Sequence, residues 1–201
     1  MHGYSMLSAT NRELFAQLAT AGQHPETLFI TCSDSRVVPN LITNAAPGEL
    51  FIVRNVGNLV PRAASALACG GVTAAIEFAA EVLQVQNVIV CGHTACGAME
   101  AILNPAGVAH LEHVRDWLDQ THGLRELVAS RYAHLAPADR VTAAVEENVL
   151  AQIENLRTFP FVARRLDAGT LHVNGWVFNI ATGEVFDYDP ATEQFGLLTV
   201  A

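Results

Sequence analysis

Two short segments of the chain carry side chains that could bind a metal ion. The first, CSDSR, begins at Cys32, and the second, CGHTACG, contains His93 and Cys96. Thiolate sulfur and imidazole nitrogen are preferred ligands of Zn²⁺. Three protein ligands leave the fourth tetrahedral position to water, which is typical of catalytic zinc sites. The sequence therefore predicts a catalytic zinc centre built from these three side chains.

A charged pair follows the first candidate ligand. Asp34 and Arg36 are two residues apart, so a tight turn can point both side chains the same way and pair them. A carboxylate paired in this way stays ionised and could accept a hydrogen bond from zinc-bound water. Zinc lowers the pKa of bound water from about 15.7 to about 7 in favourable sites. We expect a smaller drop here, because two thiolates cancel the charge of the ion.

Both segments come directly after predicted strands. Three apolar runs rich in β-forming residues are predicted strands: Thr27–Cys32, Glu49–Val56 and Asn87–Cys91. A long helix of small residues is predicted from Pro61 to about Leu83. Since ligand sites form at the carboxyl ends of parallel strands, we expect the two segments to meet at one edge of a sheet.

The second half of the chain is predicted to cover and extend this sheet. Helical periodicity runs from about Ala109 to Thr158 and is interrupted at Pro137. The segments Thr170–Ile180 and Glu184–Tyr188 form a hairpin pattern. The expected fold is α/β, with a mostly parallel central sheet, an antiparallel edge strand and flanking helices. With no repeat or linker, we expect one domain over residues 1–201.

Composition excludes several classes of partner. The net charge is −9 and no Lys/Arg cluster is present, which argues against nucleic acid and anionic membrane. We find neither a membrane-spanning segment nor a secretory signal, so the expected location is the cytoplasm.

Cysteines of a cytoplasmic chain are interpreted as metal ligands or core residues and not as disulfides. Cys69 and Cys91 are assigned to the core.

The two segments together resemble the signature of the β-class carbonic anhydrases. Further stretches also resemble this family: GQHP at 22–25, PGELF at 47–51, RNVGN at 54–58 and AAIE at 74–77. The resemblance covers the chain from Arg12 to Tyr188. Within the family, the sequence is similar to the cyanobacterial carboxysomal branch and to the plant-like enzymes.

The resemblance implies a role for each matching residue. It implies zinc ligation by Cys32, His93 and Cys96, and a catalytic pair of Asp34 and Arg36. It also implies a substrate pocket lined by Gln23, Phe51, Val56, Phe78 and Gly97. The implied activity is that of a carbonate dehydratase, a lyase: reversible hydration of carbon dioxide to bicarbonate by a zinc-bound hydroxide.

The resemblance also implies an assembly. A homodimer or a higher homo-oligomer is expected, with Gln23 and Phe51 across the interface from the metal of the other subunit. Carboxysome components are a further expected partner, and the carboxysome a second expected location. Two alternatives keep the fold: hydrolysis of carbonyl sulfide or carbon disulfide, and a non-catalytic zinc scaffold in a carboxysome-type assembly. The intact Asp34–Arg36 pair argues against the scaffold.

Overall fold

A six-stranded sheet forms the centre of the fold in the computed structural model, which describes residues 12–65, 70–121 and 123–199. The strands are β1 (Thr27–Cys32), β2 (Leu50–Asn55), β3 (Asn87–His93), β4 (His172–Phe178), β5 (Val185–Asp189) and β6 (Gln194–Leu197). Their spatial order is β2-β1-β3-β4-β5-β6. The first four are parallel, while β5 and β6 are antiparallel to their neighbours. This is the predicted α/β fold class.

Helices connect and flank the strands. They are α1 (Arg12–Ala21), α2 (Pro39–Thr43), α3 (Gly71–Glu77), α4 (Gly97–Leu103), α5 (Glu112–Leu118), α6 (Leu124–Arg131), α7 (Pro137–Arg157) and α8 (Pro160–Asp167). A π-helical turn (Phe78–Val82) extends α3, and a 3-10 turn (Pro105–Val108) follows α4. In the three described ranges, no helix combines the length and apolar character needed to cross a membrane.

The long helix predicted from Pro61 is wrong at its start. Residues 61–65 are not helical, with a turn and a bend over 63–65, and α3 begins at Gly71. The reason is tertiary: the amides of Val60 and Ala63 donate to side chains of α7 and the residue after it, at 2.8 and 2.9 Å. These bonds hold the segment away from helical geometry. The predicted core position of Cys69 lies outside the described residues, whereas Cys91 is fully buried as expected.

Two glycines let α7 lie against the sheet. A Cβ atom at Gly92 would lie 2.7 Å from Val145 Cγ1, and one at Gly175 would lie 2.9 Å from Val149 Cγ1. Such distances are below van der Waals contact, so only glycine permits this approach. The close packing sets the position of the carboxyl end of β3, where His93 is the last residue.

Candidate metal centre

The ends of β1 and β3 bring the three predicted ligands together. Cys32 is the last residue of β1, His93 is the last residue of β3, and Cys96 is the residue before α4. Their ligand atoms all lie within 4.8 Å of one another, and all three residues are buried. Zinc bonds of roughly 2.0–2.3 Å at tetrahedral angles place ligand atoms about 3.5–3.8 Å apart. The cluster therefore has the size that a zinc ion needs.

The histidine ring supports this fit. His93 is fully buried, and its Nε2 atom has no hydrogen-bond partner. Its Nδ1 atom lies 2.9 Å from the carbonyl oxygen of Thr94, which fixes the ring and leaves Nε2 as the ligand atom. A buried polar atom without a partner is costly. A metal ion bound by the two sulfurs would satisfy it.

The pKa shifts of the Cys32 and Cys96 thiols favour the binding of a cation. The pKa of Cys32 is lowered well below the usual value of a thiol, chiefly because the Cys96 thiol donates a hydrogen bond to its sulfur. The same hydrogen bond is the first cause of a raised pKa for Cys96, and burial adds to it. The pair thus shares one proton, which a divalent cation would replace. By contrast, burial raises the pKa of the Cys91 thiol to about 12.

The loop between His93 and Cys96 is tied to the neighbouring strand. The amide of Thr94 donates to the Phe178 carbonyl at 3.0 Å, and the Thr94 hydroxyl accepts from the Ile180 amide at 3.1 Å. Ala95 has a φ of 52°, in the left-handed region that is unfavourable for a residue with a Cβ atom. These contacts maintain the turn that returns the chain to Cys96.

The predicted catalytic pair forms beside the ligand atoms. Arg36 Nε donates to Asp34 Oδ1 at 2.9 Å and Arg36 Nη2 donates to Oδ2 at 2.7 Å, a bidentate pair. These hydrogen bonds hold the pKa of Asp34 far below its usual range. Asp34 Oδ2 is 3.9 Å from His93 Nε2. An ionised carboxylate therefore faces the cluster.

A second arginine holds the backbone of this loop. Arg54, on β2, donates from Nε to the Cys32 carbonyl at 3.2 Å and from Nη2 to the Asp34 carbonyl at 2.6 Å. Arg36 also reaches the Ala95 carbonyl at 3.2 Å, so it links the two ligand-bearing loops. The position of Asp34 is thus set from both sides.

Sequence reasoning missed a row of amides on α7. Asn148, Gln152 and Asn155 donate to or accept from the backbone of residues 57–60, which follow β2. Asn148 and Gln152 are buried. Their spacing of four and three residues places them on one helix face, next to the apolar positions of α7. Side-chain amides at helical spacing beside apolar positions are the sequence signal that predicts such buried contacts.

The five predicted pocket residues fall into two groups. Val56 directly follows β2 and is 42% exposed, and Gly97 directly follows Cys96, so both lie next to the cluster. Phe51 pairs in the sheet with Leu28. Leu28 lies four residues before Cys32, so Phe51 is about 13 Å along the strand from the metal cluster.

The remaining two residues lie with Phe51. The ring of Phe78 stacks on that of Phe51 at 6.0 Å, and Gln23 precedes the amino end of β1. One chain thus brings Val56 and Gly97 to the metal cluster, and places Gln23, Phe51 and Phe78 towards the opposite end of the strands.

The comparison with known proteins agrees with this geometry. A family model described as carbonic anhydrase matches residues 27–185. The chain belongs to the carbonic anhydrase family. It is 45% identical to a carbonic anhydrase of Synechocystis over 93% of this chain and 68% of the relative. It is 47% identical to a carbonic anhydrase of Synechococcus elongatus over 88% of this chain and 64% of the relative. It is 46% identical to one of Pseudomonas aeruginosa over 91% of this chain and 81% of the relative.

Solved structures assign the class. The structure of the beta-carbonic anhydrase CcaA matches with a TM-score of 0.91 and 44% identity, over 96% of this chain and 92% of that chain. A structure from a study of two tetrameric beta-carbonic anhydrases of Sordaria macrospora matches with a TM-score of 0.78 and 31% identity, over 92% and 90%. This carbonic anhydrase is therefore a β-class, zinc-dependent lyase that hydrates carbon dioxide. Hydrolysis of carbonyl sulfide or carbon disulfide is not favoured.

Proposed function

We propose that Cys32, His93 and Cys96 bind the catalytic zinc and that the Asp34–Arg36 pair orients the nucleophile for reversible hydration of carbon dioxide. The observation that carries this assignment is the convergence of two sulfurs and one ring nitrogen within 4.8 Å, beside an ionised carboxylate. A structural zinc site would instead supply a fourth protein ligand.

The residues beside the metal ligands have separate tasks in this mechanism. A zinc ion held by Cys32, His93 and Cys96 would supply Lewis acidity, which lowers the pKa of a bound water molecule and so provides the nucleophile. Asp34 accepts a hydrogen bond from that nucleophile and so directs a lone pair towards the carbon of carbon dioxide. Arg36 occupies both carboxylate oxygens, which keeps Asp34 ionised and fixes its plane. Half of the Arg36 side chain is exposed, so solvent reaches this side of the site.

The walls next to the cluster suit a small apolar substrate. Val56 contributes an exposed apolar surface, and Gly97 has no side chain that would fill the space next to Cys96. Carbon dioxide carries no charge and needs little hydrogen bonding. These two residues are therefore proposed to line its approach.

Stopped-flow measurement of carbon dioxide hydration tests the proposed activity. Protein with one zinc per chain is expected to accelerate hydration at pH 8–9, and the same protein stripped of zinc by a chelator is expected to lose the acceleration. Addition of zinc should restore it. Fully zinc-loaded protein with a rate equal to that of buffer alone would refute the assignment.

We further propose that a second copy of the chain covers the outer side of β2. In the described part of the chain, β2 has a neighbouring strand on one side only. Apolar side chains at this edge are exposed: Ile52 on β2 at 37%, and Phe78, which stacks on Phe51, at 42%. An exposed apolar edge strand favours pairing with another chain. Such a homodimer would carry Gln23, Phe51 and Phe78 towards the metal centre of the partner.

Ile52→Lys tests this dimer. Two lysines facing each other across the interface would repel and weaken association by roughly 100-fold or more, because like-charge contacts at an interface cost several kcal/mol. Light scattering after gel filtration is expected to give a dimer or larger for the wild type and a monomer for the variant. Leu111→Lys, at an exposed leucine of similar accessibility outside β2, is the control and should leave the mass unchanged. A monomeric wild type, or an unchanged Ile52→Lys dimer, contradicts the proposal.

The finer assignments of branch, domain and location stay predictions. Identities of 45% and 47% to two cyanobacterial enzymes support the cyanobacterial branch, although the Pseudomonas aeruginosa enzyme is equally similar. From the sequence we propose one domain over residues 1–201 and a cytoplasmic location, and from the family resemblance we propose carboxysome components as partners. Co-purification of carboxysome components with this protein from the native cell tests the proposed partners.

A further inference from the structure

One peptide unit connects Trp117 to the sulfur of Cys32. The indole Nε1 of Trp117 donates to the carbonyl oxygen of Val56 at 2.7 Å. The next amide, that of Gly57, donates to Cys32 Sγ at 3.5 Å, within the range of hydrogen bonds to sulfur. The carbonyl of Val56 and the amide of Gly57 belong to the same planar unit and point in opposite directions. Trp117 and Cys32 therefore bind its two ends.

The surroundings hold this peptide in place. Gly57 has a φ of 81°, a left-handed conformation that glycine adopts without strain. A Cβ atom there would also lie 3.2 Å from the Cβ atom of Ala98. Asn148, which is 1% exposed, donates to the Gly57 carbonyl at 3.1 Å and fixes the following peptide. Rotation of the Val56–Gly57 peptide is thus restrained on both sides.

A hydrogen bond at one end of a peptide affects the other end. A donor at the carbonyl polarises the amide and strengthens its N–H as a donor, and it also fixes the peptide plane. An N–H group held against a ligand sulfur orients that sulfur and withdraws charge from it. Partners of this kind, which contact a ligand and not the metal, typically account for 10–100-fold in metal affinity. The Trp side chain suits this task because its ring nitrogen is a donor only.

We propose that Trp117 is a positioning residue of the metal centre: its indole N–H, acting through the Val56–Gly57 peptide, holds a hydrogen bond on the sulfur of Cys32. The inference rests on the proposed role of Cys32 as a zinc ligand. Trp117 lies on α5, 85 residues after Cys32 in the chain, and two hydrogen bonds through this peptide link its indole to the Cys32 sulfur.

Removal of the N–H with the ring retained is the sharpest test. 3-Benzothienylalanine at position 117 replaces the indole N–H by sulfur in a ring of nearly the same shape, and Trp117→Phe is the simpler variant. The zinc dissociation constant, measured by competition with a chelator, is expected to rise by about 10-fold. In cobalt-substituted protein, the thiolate-to-cobalt charge-transfer band should move to lower energy, because the hydrogen bond from the Gly57 amide to the sulfur is weakened.

The other tryptophan of the chain provides a matched control. Trp176, on β4, stacks edge-on against Phe29 at 6.1 Å and does not contact the Val56–Gly57 peptide. The same analogue at position 176 should change neither the zinc dissociation constant nor the cobalt band. A loss of packing alone at position 117 would lower the melting temperature of the metal-free protein and leave the band in place, which would overturn the proposal.

A third variant separates this inference from the proposed site. Cys32→Ser should release zinc if Cys32 is a ligand, and retention of zinc with unchanged affinity would refute the ligand set itself. If Cys32→Ser releases zinc but the analogue at position 117 leaves both the affinity and the band unchanged, the ligand set stands and the role of Trp117 is refuted.

Discussion

Cys32→Ala is expected to abolish both zinc binding and hydration of carbon dioxide. The substitution removes one of two sulfurs that, with His93 Nε2, lie within 4.8 Å of one another. Alanine offers no ligand atom, and in the described residues the cluster contains no thiol besides those of Cys32 and Cys96. Loss of a direct ligand should exceed the 10–100-fold loss of affinity that is typical of indirect partners. Metal content after dialysis and the stopped-flow rate measure the two effects.

Cys91→Ala is the matched control for this prediction. Cys91 is also a buried cysteine, two residues before His93, but burial raises the pKa of its thiol to about 12, so it remains protonated at neutral pH. Its removal leaves a small cavity at a cost of about 1 kcal/mol and should leave one zinc per chain. Retention of zinc by Cys32→Ala would contradict the proposed ligand set, as would its loss from Cys91→Ala.

Asp34→Asn is expected to keep zinc and lose most of the activity. The amide has nearly the size of the carboxylate, but it has no charge and presents an N–H group where an acceptor is needed. Arg36 then loses its ionised partner, which it now binds at 2.9 and 2.7 Å. General-base and orienting groups typically contribute 10²–10⁴-fold to a rate. We therefore expect kcat to fall by roughly 100-fold or more, with zinc content near one per chain.

Asp116→Asn is the control for the charge change. Asp116 is also paired with an arginine, Arg115 at 2.8 Å, but both side chains are about half exposed on α5. Exposed pairs contribute little, so neither stability nor rate should change noticeably. A rate within twofold of wild type for Asp34→Asn would remove Asp34 from the mechanism. Loss of zinc from that variant would give the carboxylate a role in metal binding instead.

Local patterns were enough to predict β1, β2 and β3 and the convergence of Cys32, His93 and Cys96. β1 was predicted with its observed bounds, and the two other predicted parallel strands differ only at their ends. Apolar runs of this length are buried on both sides of a parallel sheet, which makes them easy to recognise. Because Cys32 ends one strand and His93 another, the rule that ligand sites lie at carboxyl ends of strands was enough to bring them together.

Local patterns failed where distant parts of the chain decide the conformation. Residues 61–65 have helical composition, yet the amides of Val60 and Ala63 are held by α7 and the residue after it, more than 90 residues away. The strand β6 was not predicted either, because only its pairing with β5 orders it. Intrinsic propensity is a weak prior, and tertiary hydrogen bonds overrule it.

The supporting contacts of the metal centre were decided by tertiary structure alone. The bond from Trp117 to the Val56 carbonyl joins residues 61 positions apart, and the bond from Asn148 to Gly57 joins residues 91 apart. No local spacing encodes such pairs, because they depend on where whole helices pack. The residue types and strand ends of the site are readable from the chain itself. The orientation of its ligands follows from helix packing, which arises only when the core forms.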